Sequence, residues 1–298
     1  MKQIILIISI LIVLYFIFTK SKINFNTKNT DSDKINIWIY YPKEFKNFRN
    51  NSRFPTKDNN YYSPYLNLCI NSIINNFDKS ICNINLVTDD NLYNYLPDFP
   101  ININNESRYN KKQIYDLIGG MLLYKHGGVW LFPGTICLKK NYNDLYIDIL
   151  SNDIVTFGSN NAYNCNSNNP NNYIIASKKN NIVIKHYINR LVSIMLGKID
   201  YLYNHVDTEF NPLGESINLF NVKHKHYNCL HDGTMNIHQR KLNLDDYLGK
   251  TPIKFSNKLM FISFPYELLD VETDKEWLKY IDINSLINSG INIINYIN

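Results

Sequence analysis

The stretch that decides the fold is residues 115–135, which read YDLIGGMLLYKHGGVWLFPGT. Apolar residues at 114, 117, 118, 121 and 122 have the spacing of one helix face and predict a helix over residues 111–125. The glycine pair at 127 and 128 ends that helix, because glycine accepts the left-handed conformation of a helix cap. Residues 129–131 then form a strand, and a turn at 132–134 follows its carboxyl end. Ligands of open α/β sheets bind at this end of the strands.

The segments on either side alternate between strand and helix patterns. Strands are predicted at Ile35–Tyr41, 84–88, Ile154–Phe157, 173–176 and 259–264, and helices at 66–77, 182–196 and 275–287. This alternation is typical of an α/β fold with a mostly parallel sheet. We therefore predict a single α/β domain over residues 35–298, preceded by a linker at 23–34 and an amino-terminal segment at 1–22.

The order of these segments resembles a known family. Residues 115–135 resemble the sugar-transferase region of capsular-polysaccharide-synthesis-type and DXD-containing glycosyltransferases, whose pattern is roughly (S/A)-D-x-x-R-x-x-x-L-y-x-x-G-G-(V/I)-(W/Y)-(L/I)-D-x-D. The upstream segments IWIYY (37–41), LCINS (68–72) and VTDDNL (87–92) fit that family in the same order, so the resemblance covers residues 35–200. It implies a Rossmann-like GT-A fold, a nucleotide-sugar donor, and a divalent metal held by the two aspartates of the DXD motif.

The sequence departs from that pattern at three of its four signature positions. Counted from the glycine pair, the motif aspartates fall on Phe132 and Gly134 and the arginine falls on Gly119, while the helix aspartate is present as Asp116. A divalent cation that neutralises a leaving diphosphate is held by oxygen ligands, and neither Phe132 nor Gly134 supplies a side-chain oxygen. We therefore expect no metal cofactor here, and Mn²⁺ or Mg²⁺ would need ligands outside the motif.

Several residues are candidates for binding the donor: Asp89, Asp90, Asp116, Gly127, Gly128, Trp130, Thr135 and His231. Asp116 would contact hydroxyl groups of the ribose or the sugar; alternatively, it is a solvated or capping carboxylate of an amphipathic helix. The aspartates at 89 and 90 end a predicted strand and face the donor, or they are ordinary turn residues. The glycine pair has a structural alternative as a helix stop, and Trp130 has one as a core residue rather than a stacking platform.

Histidine and basic residues concentrate between 224 and 241. His224 and His226 would share one face of a strand. Lys225, His231 and Lys241 are candidates for contacts with a diphosphate, against the alternative of a solvated loop. No catalytic residue is assigned, although residues 209 and 215 are glutamates of the kind that act as a general base in an inverting transfer.

Composition and missing motifs exclude several classes of protein. Only five of the 31 basic residues are arginine, whereas surfaces that read nucleic acid recruit arginine, so no nucleic-acid partner is expected. The phosphate-loop, dinucleotide-binding, HExxH and GxSxG motifs are all absent from the sequence. The five cysteines lack CxxC spacing and indicate neither a disulfide framework nor a zinc site. Cys69 and Cys137 are predicted as core residues, with a bridge between Cys82 and Cys165 as an open alternative.

An apolar run at residues 4–18 lies between Lys2 and Lys20. We predict a single-pass membrane anchor over residues 1–22, although the run is short for a span. A cleaved signal peptide and a buried core helix are the alternatives, and the sequence after the run lacks the small-x-small cleavage site. Lys20, Lys22 and Lys28 outnumber Lys2 and favour a cytosolic body by a small margin.

Three functional hypotheses follow. The first is a glycosyltransferase that moves a sugar from a nucleotide-sugar donor to a glycan or glycoprotein acceptor, with Lys, Arg or His in place of a metal. The second is a catalytically degenerate homologue that binds a sugar, a nucleotide or a protein at the membrane. The third is a membrane-tethered interaction protein, which would have no pocket at the strand ends.

Overall fold

The structure is a computed structural model, and it describes residues 34–45, 60–61, 63–102, 109–159, 165, 169–198 and 212–297. The predicted anchor, and all but the last residue of the predicted linker, lie outside these residues. Within them, no helix combines the length and the apolar character needed to cross a membrane.

The helices and strands alternate along the chain. The strands are β1 (Ile35–Tyr41), β2 (Glu44–Phe45), β3 (Asn60–Tyr61), β4 (Cys82–Thr88), β5 (Gly128–Leu131), β6 (Thr135–Cys137), β7 (Ile154–Phe157), β8 (Ile174–Ser177), β9 (His224–Tyr227) and β10 (Phe261–Ser263). The α-helices are α1 (Pro64–Asn76), α2 (Leu92–Tyr95), α3 (Lys111–His126), α4 (Asn143–Ser151), α5 (Ile182–Met195), α6 (Pro212–Leu219), α7 (Leu244–Leu248) and α8 (Ile283–Ile287). Short 3₁₀ helices lie at Tyr266–Asp270, Glu276–Lys279 and Asn292–Tyr296.

The central sheet has the strand order β4-β1-β5-β8-β7-β9. β1 is parallel to both β4 and β5, and β7 is parallel to β9. β8 is antiparallel to both of its neighbours, so it runs opposite to the other five strands. The predicted α/β class with a mostly parallel sheet is therefore confirmed.

Helices and loops cover both faces of this sheet, because its strands are apolar on both sides. Ile37 and Ile39 of β1 belong to the core on one face, which also contains α1, α4 and the carboxy-terminal segments. Trp38 and Tyr40, which alternate with them, belong to the core on the other face, under α3, α5 and α6. The result is a three-layer arrangement in which α3 lies against the centre of the sheet.

The carboxy-terminal third departs from the prediction. A continuous helix over 275–287 was expected, but the chain forms a 3₁₀ helix at Glu276–Lys279 and then the separate helix α8. The break occurs because the Asp282 side chain accepts a hydrogen bond from the Ser285 backbone N–H and caps a new helix. The strand predicted at 259–264 is shorter and spans Phe261–Ser263.

The cysteine prediction is partly wrong. Cys165 and Cys229 form a disulfide, whereas no framework was expected and the alternative pairing was Cys82 with Cys165. β7 and β9 are parallel neighbours, so the segments that follow their carboxyl ends emerge at the same edge of the sheet. This brings Cys165 and Cys229 together. Cys69 and Cys137 are buried in the core, as predicted.

Candidate functional site

The carboxyl edge of the sheet collects polar residues from several segments. The segments that follow β1, β4, β5, β7 and β9 all begin at this edge, because these strands point the same way. β8 runs the other way, so the residues that precede it, Asn171–Asn172–Tyr173, also lie there. Lys111, the first residue of α3, lies at this edge as well, since a helix that connects two parallel strands runs back from one to the other.

The aspartates after β4 hold the loop that follows β1. Asp89 accepts hydrogen bonds from the Tyr40 hydroxyl and, at 3.1 Å, from the Lys43 backbone N–H. Burial raises the pKa of Asp89, although these two donors and the Lys43 charge oppose the shift. Asp90 is exposed and forms an ion pair with the Lys43 ammonium. Both aspartates lie at the carboxyl edge, and the contacts they make there are structural.

Asp116 lies one turn into α3 with its side chain completely buried. The Lys112 Nζ lies 3.0 Å from Asp116 Oδ2, and the Asn172 side-chain amide donates to the same oxygen at 3.3 Å. Asn110 caps the start of this helix, because its side chain accepts a hydrogen bond from the Lys112 backbone N–H at 2.8 Å. The alternative of a solvated carboxylate is therefore excluded for Asp116, which belongs to a buried polar network.

The turn after β5 presents apolar groups to this network. The Phe132 ring is buried and packs edge-to-face on Tyr173, with 4.9 Å between ring centroids, and on Tyr115 at 5.6 Å. Thr135 closes the turn by donating its hydroxyl to the Phe132 carbonyl oxygen at 2.7 Å. Gly134 has φ of +91°, and a Cβ there would lie 2.9 Å from Tyr266 Cβ. Residues 132 and 134 therefore do not fit a divalent cation, because neither places a side-chain oxygen in the turn.

A carboxylate from a distant segment joins the network. Glu267, in the 3₁₀ helix after β10, is buried, and its Oε1 accepts a hydrogen bond from the Tyr173 hydroxyl at 2.7 Å. Burial raises the pKa of Glu267, and the nearby Asp116 adds to the shift while Lys112 opposes it. Its other oxygen has no hydrogen-bond partner within the described part of the chain. No sequence motif marks Glu267. The one indication of it in the sequence is its position shortly after a predicted strand, since side chains that follow strands can lie at the ligand-binding edge of a sheet.

We call the group formed by Lys112, Asp116, Phe132, Asn172, Tyr173 and Glu267 the Lys112 cluster. It contains one lysine, one asparagine, two carboxylates and two aromatic rings. Among the described residues, no group of three histidine, cysteine, aspartate or glutamate side chains is arranged to hold a metal ion.

A third buried carboxylate, outside the Lys112 cluster, positions the loop before β8. Asp232 accepts hydrogen bonds from the Asn171 side-chain amide and, at 2.8 Å, from the Thr234 hydroxyl. Asn171 Oδ1 in turn accepts from the Tyr173 backbone N–H at 3.0 Å. Burial raises the pKa of Asp232 to about 6. This chain of hydrogen bonds connects the segment after β9 to the Lys112 cluster.

The remaining predicted residues lie apart from the Lys112 cluster. Gly127 and Gly128 are at the opposite, amino end of β5, where both have positive φ and a Cβ on Gly128 would overlap the Asn36 carbonyl oxygen. Trp130 is a core residue that packs on Gly119. His231 follows β9 and is half-buried beside Tyr227, with 5.1 Å between ring centroids, and burial lowers its pKa.

The other charged candidates also have structural partners. His224 Nε2 and His226 Nδ1 both lie within hydrogen-bond distance of the Thr156 hydroxyl, at 2.7 and 3.1 Å, so they share one strand face as predicted. Lys225 Nζ lies 3.7 Å from a carboxylate oxygen of Asp148. Glu215 forms an ion pair with Arg190 at 2.7 Å. The glutamate predicted at 209 lies outside the described residues.

Comparison with known proteins identifies the family. The structure defines a three-layer α/β protein with a polar network at the carboxyl edge of its sheet. A family model described as capsular polysaccharide synthesis protein matches residues 59–210, which is half of the chain. The chain therefore belongs to the capsular polysaccharide synthesis family, as the sequence resemblance indicated. Searches of curated proteins and of solved structures found no match.

Proposed function

We propose that this protein is a GT-A-type glycosyltransferase that transfers a sugar from a nucleotide-sugar donor to a glycan or glycoprotein acceptor. The observation that carries the proposal is the completely buried Asp116, salt-bridged to Lys112 at the carboxyl edge of a mostly parallel sheet. Open α/β sheets bind ligands at that edge. Membership of a polysaccharide-synthesis family supports the choice of a sugar transfer over other reactions.

The donor would bind without a metal at the motif turn. Phe132 and Gly134 occupy the two positions where the family pattern has aspartates, and both are packed against aromatic residues. In this proposal Asp116, whose side chain is completely buried, acts by holding the Lys112 ammonium at 3.0 Å, in place of the direct contact with donor hydroxyl groups that the sequence leads us to expect. Asp89, Asp90 and His231 line the same edge, while Gly127, Gly128, Trp130 and Thr135 maintain the backbone and the core around it.

We also propose that residues 1–22 tether the protein to a membrane as a single-pass anchor. The disulfide between Cys165 and Cys229 supports a body on the oxidising side of that membrane, because disulfides are rare in reducing compartments. This orientation is the reverse of the one favoured by the lysine count of the sequence.

The test is turnover by the full-length protein in detergent. A panel of nucleotide sugars is incubated with the protein, in EDTA and in Mn²⁺, and nucleotide release is measured. We expect release that persists in EDTA and is lost in Asp116→Asn. Asp153→Asn is the matched control, because Asp153 is an exposed carboxylate that also pairs with a lysine, Lys178, at 2.9 Å. It precedes β7 and therefore lies at the opposite edge of the sheet.

A catalytically silent binding module is the second candidate, and the apolar turn at 132–134 is the observation that favours it. It predicts binding of a nucleotide sugar without release of nucleotide under any condition. If no nucleotide sugar is bound or consumed in either EDTA or Mn²⁺, both candidates are refuted.

A further inference from the structure

The neighbours that hold the Lys112 ammonium in position include a carboxylate and two aromatic rings. A carboxylate oxygen of Asp116 lies 3.0 Å from it. The centroids of the Phe132 and Tyr173 rings each lie 5.4 Å from it. An ammonium at this distance from an aromatic face is attracted by the ring quadrupole. Lys112 is therefore held as a positioned charge rather than extended freely into solvent.

The two charged groups of this salt bridge differ in their exposure to solvent. The Asp116 side chain is completely buried, whereas 24% of the Lys112 side chain is exposed. The positive end of the pair therefore faces outward and the negative end faces the core. Lys112 also lies in the first turn of α3, a helix of 16 residues, where the helix dipole adds positive potential. A ligand that approaches this edge meets the ammonium before it meets either buried carboxylate.

The Lys112 ammonium lies where the family pattern has a metal-binding residue. It lies over the ring of Phe132, the residue that occupies the first metal-binding position of the family pattern. We propose that Lys112 binds the diphosphate of the nucleotide-sugar donor and supplies there the positive charge that a divalent cation would supply. This inference rests on the proposed function. It adds a group that contacts the donor phosphates, a role for which the sequence offers Lys225, His231 and Lys241 as candidates.

The adjacent lysine provides a matched control. Lys111 lies in the same helix turn, and its side chain is 25% exposed. It too pairs with a carboxylate, since its Nζ lies 3.3 Å from Oδ1 of Asp270, a residue that is exposed. If diphosphate binding depended only on positive charge at the start of α3, removal of either lysine would weaken binding equally. The proposal instead requires that removal of Lys112, and not of Lys111, weakens it.

The experiment measures nucleotide binding by calorimetry to the full-length protein in EDTA. Uridine, guanosine, adenosine and thymidine diphosphates are the probes, and the best binder is then compared with its monophosphate. In Lys112→Met we expect the Kd of the diphosphate to rise by about tenfold or more, the usual range for a hydrogen bond to a charged group. We expect Lys112→Arg and Lys111→Met to stay within about threefold of the native protein, and the monophosphate to bind native and Lys112→Met protein alike.

Each opposite result overturns the inference. Diphosphate binding that is unchanged in Lys112→Met, or that appears in the native protein only after Mn²⁺ is added, would show that Lys112 does not replace a metal. If Lys112→Met weakened the binding of the monophosphate as much as that of the diphosphate, the substitution would have disrupted the whole nucleotide site rather than a contact with the diphosphate. If Lys112→Met unfolds, the charge-keeping Lys112→Arg decides, because loss of diphosphate binding in a folded Arg variant contradicts the proposal. If the native protein binds no nucleoside diphosphate in EDTA or Mn²⁺, the proposed function itself fails.

Discussion

The contact between Gly119 and Trp130 gives a prediction that can be worked from the structure. Gly119 lies in the middle of α3 at the position where the family pattern has arginine. A Cβ on this residue would lie 2.5 Å from Cδ2 and Cε2 of Trp130 and 2.7 Å from its Nε1. These atoms belong to a rigid, fully buried indole ring, so they cannot move aside as the end of a flexible side chain would. We expect Gly119→Ala to destabilise the protein.

The size of the effect is the difference between two terms. Alanine is favoured over glycine in a helix interior by about 0.5–1 kcal/mol. An added methyl group in a well-packed core costs about 1–3 kcal/mol, and the short distances to the indole favour the upper part of that range. The net loss of unfolding free energy is then about 2 kcal/mol, which lowers the Tm by about 4–8 °C for a domain of this size.

The assay is thermal and urea unfolding of native protein, Gly119→Ala and the neighbouring Gly120→Ala. A Cβ on Gly120 would lie 3.1 Å from the Ile188 Cγ1, a side chain that is able to adjust, so Gly120→Ala should have a smaller effect or stabilise. Trp130→Leu should reduce the cost of Gly119→Ala in a double-mutant cycle. Equal or higher stability of Gly119→Ala, or a cost that is the same in the Trp130→Leu background, would refute this reasoning.

Three further predictions concern the disulfide, the buried Asp232 and the motif turn. Iodoacetamide in denaturant should modify three cysteines without reductant and five after reduction, and labelling of all five without reductant would exclude the bridge. The double variant Cys165→Ser, Cys229→Ser should lower the unfolding free energy by about 4 kcal/mol. Burial raises the pKa of Asp232 from 3.8 to about 6, so the folded state retains a proton that the unfolded chain releases, and its contribution to stability falls as pH rises from about 4 to about 6. Urea midpoints from pH 4 to 7 should show this decline in native protein relative to Asp232→Asn, and parallel curves would contradict it. Phe132→Asp with Gly134→Asp should lower the unfolding free energy by about 3 kcal/mol or more without creating Mn²⁺ binding in calorimetry, and a folded variant that binds Mn²⁺ would show that the turn accepts a metal site.

The central part of the fold could be predicted because its signals are local. The strand at Ile35–Tyr41 and the helix at Lys111–His126 have clear hydrophobic periodicity, and the glycine pair marks the boundary between helix and strand. The carboxy-terminal helix could not be predicted in the same way. Its break depends on one hydrogen bond from Ser285 to Asp282, and the apolar pattern runs through that break.

The candidate site was predictable only where a motif marked it. Asp116 can be located in the sequence by its spacing from the glycine pair and its place in the predicted helix, and the structure places it in the Lys112 cluster. Glu267 reaches that cluster from a segment about 150 positions further along the chain, so sequence spacing carries no information about their contact. Cys165 and Cys229 are likewise 64 positions apart and meet only because β7 and β9 are parallel neighbours.

The three residues at which the sequence differs from the motif pattern expected from the resemblance are all packed against aromatic side chains. Gly119 makes room for the indole of Trp130, Phe132 stacks edge-to-face on Tyr173, and Gly134 lies against Tyr266. Tyr173 and the residue after Tyr266, Glu267, are hydrogen-bonded to each other at 2.7 Å. Apolar residues at the motif positions and polar residues in the Lys112 cluster are therefore parts of one arrangement. A side chain introduced at any one of these positions to match the family pattern would contact packed aromatic residues rather than open space. Aspartates at 132 and 134 are therefore expected to lower the stability of the protein without restoring a metal site.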